Sequence, residues 1–444
     1  MKTYIYGVVL MPCLLFGVSA KAENLLQVYE AALAHDTTLQ SADINYKIAE
    51  ENRRKAISAF QPKVDVSASP YHADGSGAVS GAAIGYGVTV RKPLWDHAAD
   101  IDRTAAASEV SAADNLYQDS RQKLFLNVAS AYLDFLATAH DLKLIRKERD
   151  VRAEELQILE RQYQQQNATI TDLHELQAYQ DTIDVRVVEA EDRLEGQRTR
   201  LFRLSGENYQ ALDDLREGWL EQFAPQRKAE YWQDAALKHN KPIQDALYQV
   251  QIAQSRLDAV RAGSDPTVNL VMQHNGDHYY QDNLGDRSDN RIGLEFNMNV
   301  YDGGRTESSV RKAKLELEQA QVNLTAQQDT VRQQVADAYR AVLGDYKRIR
   351  LYQKLLESSR EALQTTREGR SLGSRTMTDV LLAQEKVFQA ERDYLEIQYA
   401  YLLGLMKLEQ TAGTFDLETL KSINAWASSS RQPGEEVAGM VGKP

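Results

Sequence analysis

The chain has 444 residues, 64 Asp+Glu against 52 Lys+Arg, and a single cysteine. A formal net charge of −12 excludes a general nucleic-acid binder, because binding would bring like charges together. After the first twenty residues no stretch approaches the roughly 18 apolar residues that a spanning helix requires, so any membrane insertion must be through strands.

The chain opens with Lys2 and the apolar run Ile5 to Val18, a secretory signal too short to cross a bilayer as a helix. Ala20-Lys21-Ala22 offers small residues where signal peptidase reads, so cleavage is expected after Ala22, giving a signal peptide of residues 1–22. A retained anchor is the weaker alternative. A lipoprotein reading would use Cys13, but Pro12 stands where a small residue is wanted. Cleavage removes Cys13, so disulfide and thiol chemistry are excluded from the mature chain. Loss of Lys2 and Lys21 leaves 50 basic against 64 acidic residues, a net charge of −14.

From Glu23 onward the same order of elements runs twice. Each pass has a helix of some twenty residues (Leu39 to Phe60, then Ile243 to Arg261) stopped by a proline. Two strand-like stretches follow, 63–72 and 82–93 in the first pass, 267–275 and 291–301 in the second. Long helical stretches come next, 97–204 and 305–410. Asp96 to Gly196 contains no internal Gly or Pro, and Pro266 to Pro433 no internal Pro, so helices of sixty residues are permitted, each about 100 Å long. Their Ala, Gln, Glu, Leu and Arg content suits coiled-coil-like packing. Diluted heptads, as at Leu124, Val128, Ala131, Leu133, Leu136 and Leu144, suit helices packed sideways on two neighbours, as in a tube wall, better than an isolated rod.

The repetition extends to individual residues. Ala31-Ala32-Leu33-Ala34-His35-Asp36 recurs 204 residues later as Ala235-Ala236-Leu237-Lys238-His239-Asn240. Leu94-Trp95-Asp96 matches Val300-Tyr301-Asp302 at 206, and Thr171-Asp172-Leu173 matches Thr378-Asp379-Val380 at 207, as Gly206 does Gly413. The expected division is a first repeat 23–206, an equatorial linker 207–230, a second repeat 231–413, and an equatorial segment with a disordered tail over 414–444.

The strands alternate with period two. Val64, Val66 and Ala68 oppose Asp65, Ser67 and Ser69, and Ile84, Tyr86, Val88 and Val90 oppose Gly85, Gly87, Thr89 and Arg91. Val268, Leu270 and Met272 alternate with Asn269 and Gln273, although Val271 blurs the pattern, and Ile292, Leu294, Phe296, Met298 and Val300 share a face. Any one strand alone reads better as half of a soluble hairpin packed on a helix. Four together on an exported chain point to the membrane. Four strands cannot close a barrel, and open edges cannot sit in lipid. The membrane reading therefore requires an oligomer, and three copies, with twelve strands, leave more room for a pore than two.

No Gly-rich phosphate loop, nucleophile elbow or paired histidine motif is present. His174 and Glu175, adjacent on a helix, point about 100° apart, and His274 and His278 are expected in a polar loop between strands. The expectation is no catalytic, metal or cofactor site.

Three stretches carry a specific resemblance: Glu23-Asn24-Leu25-Leu26-Gln27-Val28-Tyr29, the strand exit Val300-Tyr301-Asp302-Gly303-Gly304, and Gly369-Arg370-Ser371-Leu372-Gly373-Ser374-Arg375-Thr376-Met377-Thr378-Asp379-Val380-Leu381. With the duplication, they resemble the TolC family of outer-membrane efflux and secretion channels, from Glu23 to about Gly413. The resemblance implies a mainly α fold with membrane β-strands, in which a homotrimer shares a 12-stranded barrel and extends a helical tunnel into the periplasm. It implies a passive conduit of the Gram-negative outer membrane for type I secretion or multidrug efflux. Its partners would be a periplasmic adaptor (membrane fusion) protein and an inner-membrane transporter of ABC, RND or MFS type. By motif, Arg375 with Thr171 and Asp172 would restrain a periplasmic gate, and Asp379 would form an acidic ring lining the pore. Two departures matter. Arg370 stands where the family has tyrosine, so a hydrogen bond to Asp172 becomes a charge-assisted one, and Leu382 replaces a second acidic ring residue, weakening cation selectivity. The competing reading is a soluble periplasmic helical-hairpin adaptor or scaffold, which should carry a lipoyl-like all-β domain that this sequence lacks.

Overall fold

The structure, a computed structural model, describes residues 23–73, 81–214, 227–280 and 286–415, with the single positions 220, 223 and 225. The expected signal peptide, much of the linker and the tail lie outside the described residues. In chain order the elements are α1 (Leu25–His35), α2 (Thr37–Ser58), β1 (Lys63–Ala73), β2 (Gly81–Trp95), α3 (His97–Gln164) and α4 (Ile170–Ser205). The order then repeats as α5 (Ala229–His239), α6 (Lys241–Ala262), β3 (Thr267–Tyr279), β4 (Arg287–Asn297), α7 (Arg305–Ser371) and α8 (Met377–Ala412).

The duplication is exact enough in three dimensions to give matched helices of 11 and 11, 22 and 22, 68 and 67, and 36 and 36 residues. The short α1 and α5 were not foreseen. Each is cut from its successor by one residue, Asp36 or Asn240, whose side chain caps the next helix through Leu39 or Ile243 N–H. Both repeats end on a left-handed glycine, Gly206 at φ 75 and Gly413 at φ 70. A side chain at Gly413 would strike the His239–Asn240 backbone, and one at Gly206 would strike His35, the equivalent position. Each repeat thus closes by laying its last turn on its own first helix junction.

All four strands form one antiparallel sheet in the order β1-β2-β3-β4, with β2–β3 joining the repeats. The fourth strand runs over 287–297, not 291–301. Its partner β3 begins at Thr267, opposite Asn297, directly after Pro266, which has no N–H to donate, so the pairing ends at Asn297 and Met298 to Tyr301 pair with no described strand. At the other end β3 continues to Tyr279, and Arg287 to Asn290 pair with it.

Beneath the sheet, α2, α3, α6 and α7 pack side by side in that order, and α3 and α7 also pair as hairpins with α4 and α8. The main core sits at mid-length, where Phe125 stacks on Phe415 at 4.6 Å and meets Tyr29 edge-on at 5.2 Å. There the buried Tyr132 hydroxyl donates to the Asp213 carbonyl at 2.6 Å, and Glu23 bridges Leu212 in parallel. Within the described parts of the expected equatorial segments, Tyr209, Leu212 and Phe415 are buried in this core.

Candidate functional site

The register decides what the sheet can face. Directly opposed residues share a face, so Val64, Val90, Met272 and Ile292 form one unbroken apolar row across all four strands. Leu270 with Leu294, Val268 with Phe296, and Val66 with Val88 extend it. The next row on the other face reads Asp65, Thr89, Gln273, Arg291, and beside it Arg91 Nη1 donates to Glu295 at 2.9 Å. Val271, which blurred the pattern, lies on this polar face between Arg91 and Gly293.

Neither face is covered by other described residues of the chain. Ile292 is 69% exposed and Leu294 70%, while Asp65 and Arg291 are also exposed. A water-soluble sheet buries its apolar face, whereas a lipid-embedded strand alternates apolar outward and polar inward. Trp95 and Tyr301, both exposed, mark the end of the apolar band nearest the helices, as an interfacial aromatic girdle would. His274 and His278 lie on β3, which runs to Tyr279, and not in a loop; they are taken up locally, by Asn290 at 2.7 Å and Asp286 at 2.8 Å.

At the opposite end of the molecule are the two hairpin tips. The first turns through Gln165–Thr169, with Gln166 at φ 63; the second turns through Leu372–Thr376, with Gly373 at φ 74. Each following helix opens with the same reciprocal cap. Asp172 Oδ2 accepts from the Thr169 hydroxyl at 2.8 Å while Asp172 N–H donates back at 3.1 Å. In the second hairpin Asp379 Oδ2 accepts from the Thr376 N–H and hydroxyl, each at 2.9 Å, and Asp379 N–H donates back at 3.2 Å. These donors, the backbone N–H first, hold the Asp379 carboxyl below its ordinary value of 3.8, with Arg375 nearby adding to the shift.

The structure brings the two tips together, but not through the expected residues. Thr378 donates to Glu175 at 2.6 Å, and Met377 and Leu381 pack on Leu159 and Leu176. Arg375 is exposed and lies with its stem over Gly369; Arg370 is half-buried in the last turn of α7. Thr171 is exposed in the first turn of α4. The ion pairs from α3 and α4 to α8 use Arg186–Glu385 at 3.6 Å and Arg392 with Glu148 at 3.4 Å. Among the described residues of one chain, none joins Arg370 or Arg375 to Asp172. The Asp172 carboxylate is engaged in capping its own helix.

A charged cluster between the hairpins was not foreseen. Arg152, 1% exposed, donates to the Leu381 carbonyl and Glu155 at 3.1 Å each, and to Gln384 Oε1. The Gln384 amide in turn donates to Glu155. The sequence carried a signal for it. Ile145, Glu148, Arg152 and Leu159 recur at helical spacing on one buried stripe of α3, so two of its positions are charged residues where apolar ones are the rule.

A family model described as "Outer membrane efflux protein" matches residues 28–207 and 232–414. The chain is 24% identical to the proteases secretion protein PrtF of Dickeya chrysanthemi over 94% of both chains. It is 25% identical to the outer membrane protein TolC of Vibrio cholerae, over 91% of this chain and 94% of that one. In fold it is similar to the outer membrane protein VceC of Vibrio cholerae, with a TM-score of 0.75 at 18% identity, covering 88% of this chain and 96% of the other.

Proposed function

Because the chain belongs to the outer membrane efflux protein family, that of the TolC-like channels, we propose that it serves as the outer-membrane exit duct of a type I secretion or multidrug efflux system. It is an outer-membrane protein with four strands per chain and a long helical body. The observation that carries the reading is the uncovered two-faced sheet. One face bears the apolar row Val64, Val90, Met272 and Ile292, the other is polar, and β1 and β4 each have an unpaired edge. Such edges in lipid would cost several kcal/mol for each unpaired backbone group. Closure by three copies satisfies every edge, places the apolar face toward lipid and encloses a polar lumen. We place the helices in the periplasm, with the hairpin tips toward an adaptor protein and an inner-membrane transporter of ABC, RND or MFS type.

At the tips, Arg375 and Arg370 reach Thr171 and Asp172 of a neighbouring copy in this reading, since one chain does not bring them together. Asp379, ionised because its donors lower its pKa, contributes one carboxylate per copy to a ring at the constriction. A soluble adaptor or scaffold would have no use for an exposed apolar sheet face. The test is fractionation followed by detergent extraction. The duct reading expects an outer-membrane protein migrating as a heat-dissociable trimer that conducts in planar bilayers. A detergent-free soluble monomer would overturn it.

A further inference from the structure

The seams between the helices of the two hairpins are not alike. Within the first hairpin, Leu142 and Ile145 of α3 pack on Ile183, Val187 and Ala190 of α4. Within the second, Leu356 of α7 packs on Val387 and Ala390 of α8. Apolar contacts of this kind are non-directional and hold each hairpin as one body. The seam from α3 to α8, which joins the hairpins, adds a run of directional bonds to the apolar cluster of Leu159 and Leu176 with Met377 and Leu381 at the tip. From the tip upward it runs through Arg152 with Leu381, Gln384 and Glu155, then Glu148 with Arg392, then His140 Nδ1 with the Tyr399 hydroxyl at 2.8 Å. Hydrogen bonds weaken steeply with misalignment, so the directional bonds of this seam depend on the exact register of one hairpin on the other.

Arg152 is the centre of that seam and its most buried charge. A buried guanidinium needs acceptors, and here its bonds to Gln384 and to the Leu381 backbone carbonyl cross to the other hairpin, while that to Glu155 stays on α3. Leu381 is two residues from Asp379 and six from Arg375, and its side chain docks on Leu159 and Leu176. Fixing that carbonyl therefore fixes the rotation and height of the α8 N-terminus, and with it where Asp379 and Arg375 point.

We propose that Arg152 is a positioning residue of the periplasmic tip, holding the second hairpin in register on the first through Leu381 and Gln384. The inference rests on the outer-membrane duct reading.

The test uses the full-length chain purified as its trimer. Arg152→Met removes the charge and the donors while keeping most of the volume. It is expected to raise basal single-channel conductance several-fold in planar bilayers, with the trimer's heat-dissociation temperature unchanged. Arg152→Lys, which keeps charge but loses the planar fork, should lie between. Leu142→Ala, inside one hairpin, should lower the dissociation temperature without a matching rise in conductance. Wild-type conductance from an intact Arg152→Met trimer would overturn the proposal, as would a rise that only tracks loss of trimer stability. Should Arg152→Met fail to assemble, Gln384→Met is expected to give a smaller rise in the same direction, and wild-type conductance there would count equally against it. Absence of any conductance from the wild-type trimer would instead refute the duct reading.

Discussion

Gln166 and Gly373 occupy equivalent turn positions, 207 residues apart, and both are left-handed, at φ 63 and φ 74. The second hairpin uses glycine there, whereas the first forces a β-carbon into a conformation costing about 1–2 kcal/mol. Gln166→Gly should therefore stabilise the first tip by up to about 1 kcal/mol, measured as slower amide exchange at Asn167 to Asp172, with no loss if the turn is relaxed. Asp379 makes a pH-dependent cap. Its folded pKa is depressed, so its contribution is fully present above the ordinary value of 3.8 and is lost as pH falls through the lower folded value. Amide exchange at Thr376 to Val380 should quicken only below about pH 4. In the duct reading, Asp379→Asn keeps the cap's shape but removes the ring's charge, so block by multivalent cations added on the periplasmic side should weaken. Unchanged block would remove Asp379 from the lumen.

The sheet and the helices obey different rules as elements. Alternation in the strands survives into the structure almost row for row, because a period of two leaves no choice of face once register is set. Leu294→Arg, in the apolar band, should cost about 2–4 kcal/mol of barrel stability and prevent formation of heat-dissociable oligomer in lipid. Glu295→Gln, one residue away on the polar face, should lose only the bond from Arg91 and assemble normally. Equal behaviour of the two variants, read by urea titration of vesicle-reconstituted protein, would refute the assignment of faces. The long helices were legible from the lack of Pro, and in α3 of Gly as well, but the five-residue turn after Gln164 was not marked by either residue and is recognisable only from the capping Thr169 and Asp172.

For the whole molecule, the unpaired strand edges and the uncovered apolar face make one chain an incomplete structure. Arg375 belongs to this scale. Exposed and without an ion pair to Asp172 in its own chain, it can restrain the tip only through another copy. Arg375→Ser should therefore raise basal conductance of the trimer while leaving the single chain's helices unaltered by circular dichroism. Unchanged conductance and unchanged leakage would count against a gating role. Thr171, Asp172 and Arg370 are proposed to share that restraint. The buried seam at Arg152 is a separate restraint within each chain, so the two substitutions should be additive if they act at distinct contacts.

Local physics sufficed for much of this protein. Duplication, helix length, strand faces and the helix-capping residues all follow from periodicity and from side chains that act on their own backbone, within a few residues of sequence. The resemblance carried by Gly369 to Leu381 added the family and the candidate gate. Tertiary structure alone decided which charges meet. Asp172 lies with Thr169 and not with Arg370 in one chain, Thr378 reaches Glu175 across 203 residues, and Arg152 reaches Gln384 across 232. Such partners depend on the relative height and rotation of two long helices, a few degrees of which carry a guanidinium from one carboxylate to another. No pattern along one helix encodes that relation, because it is set by packing between them.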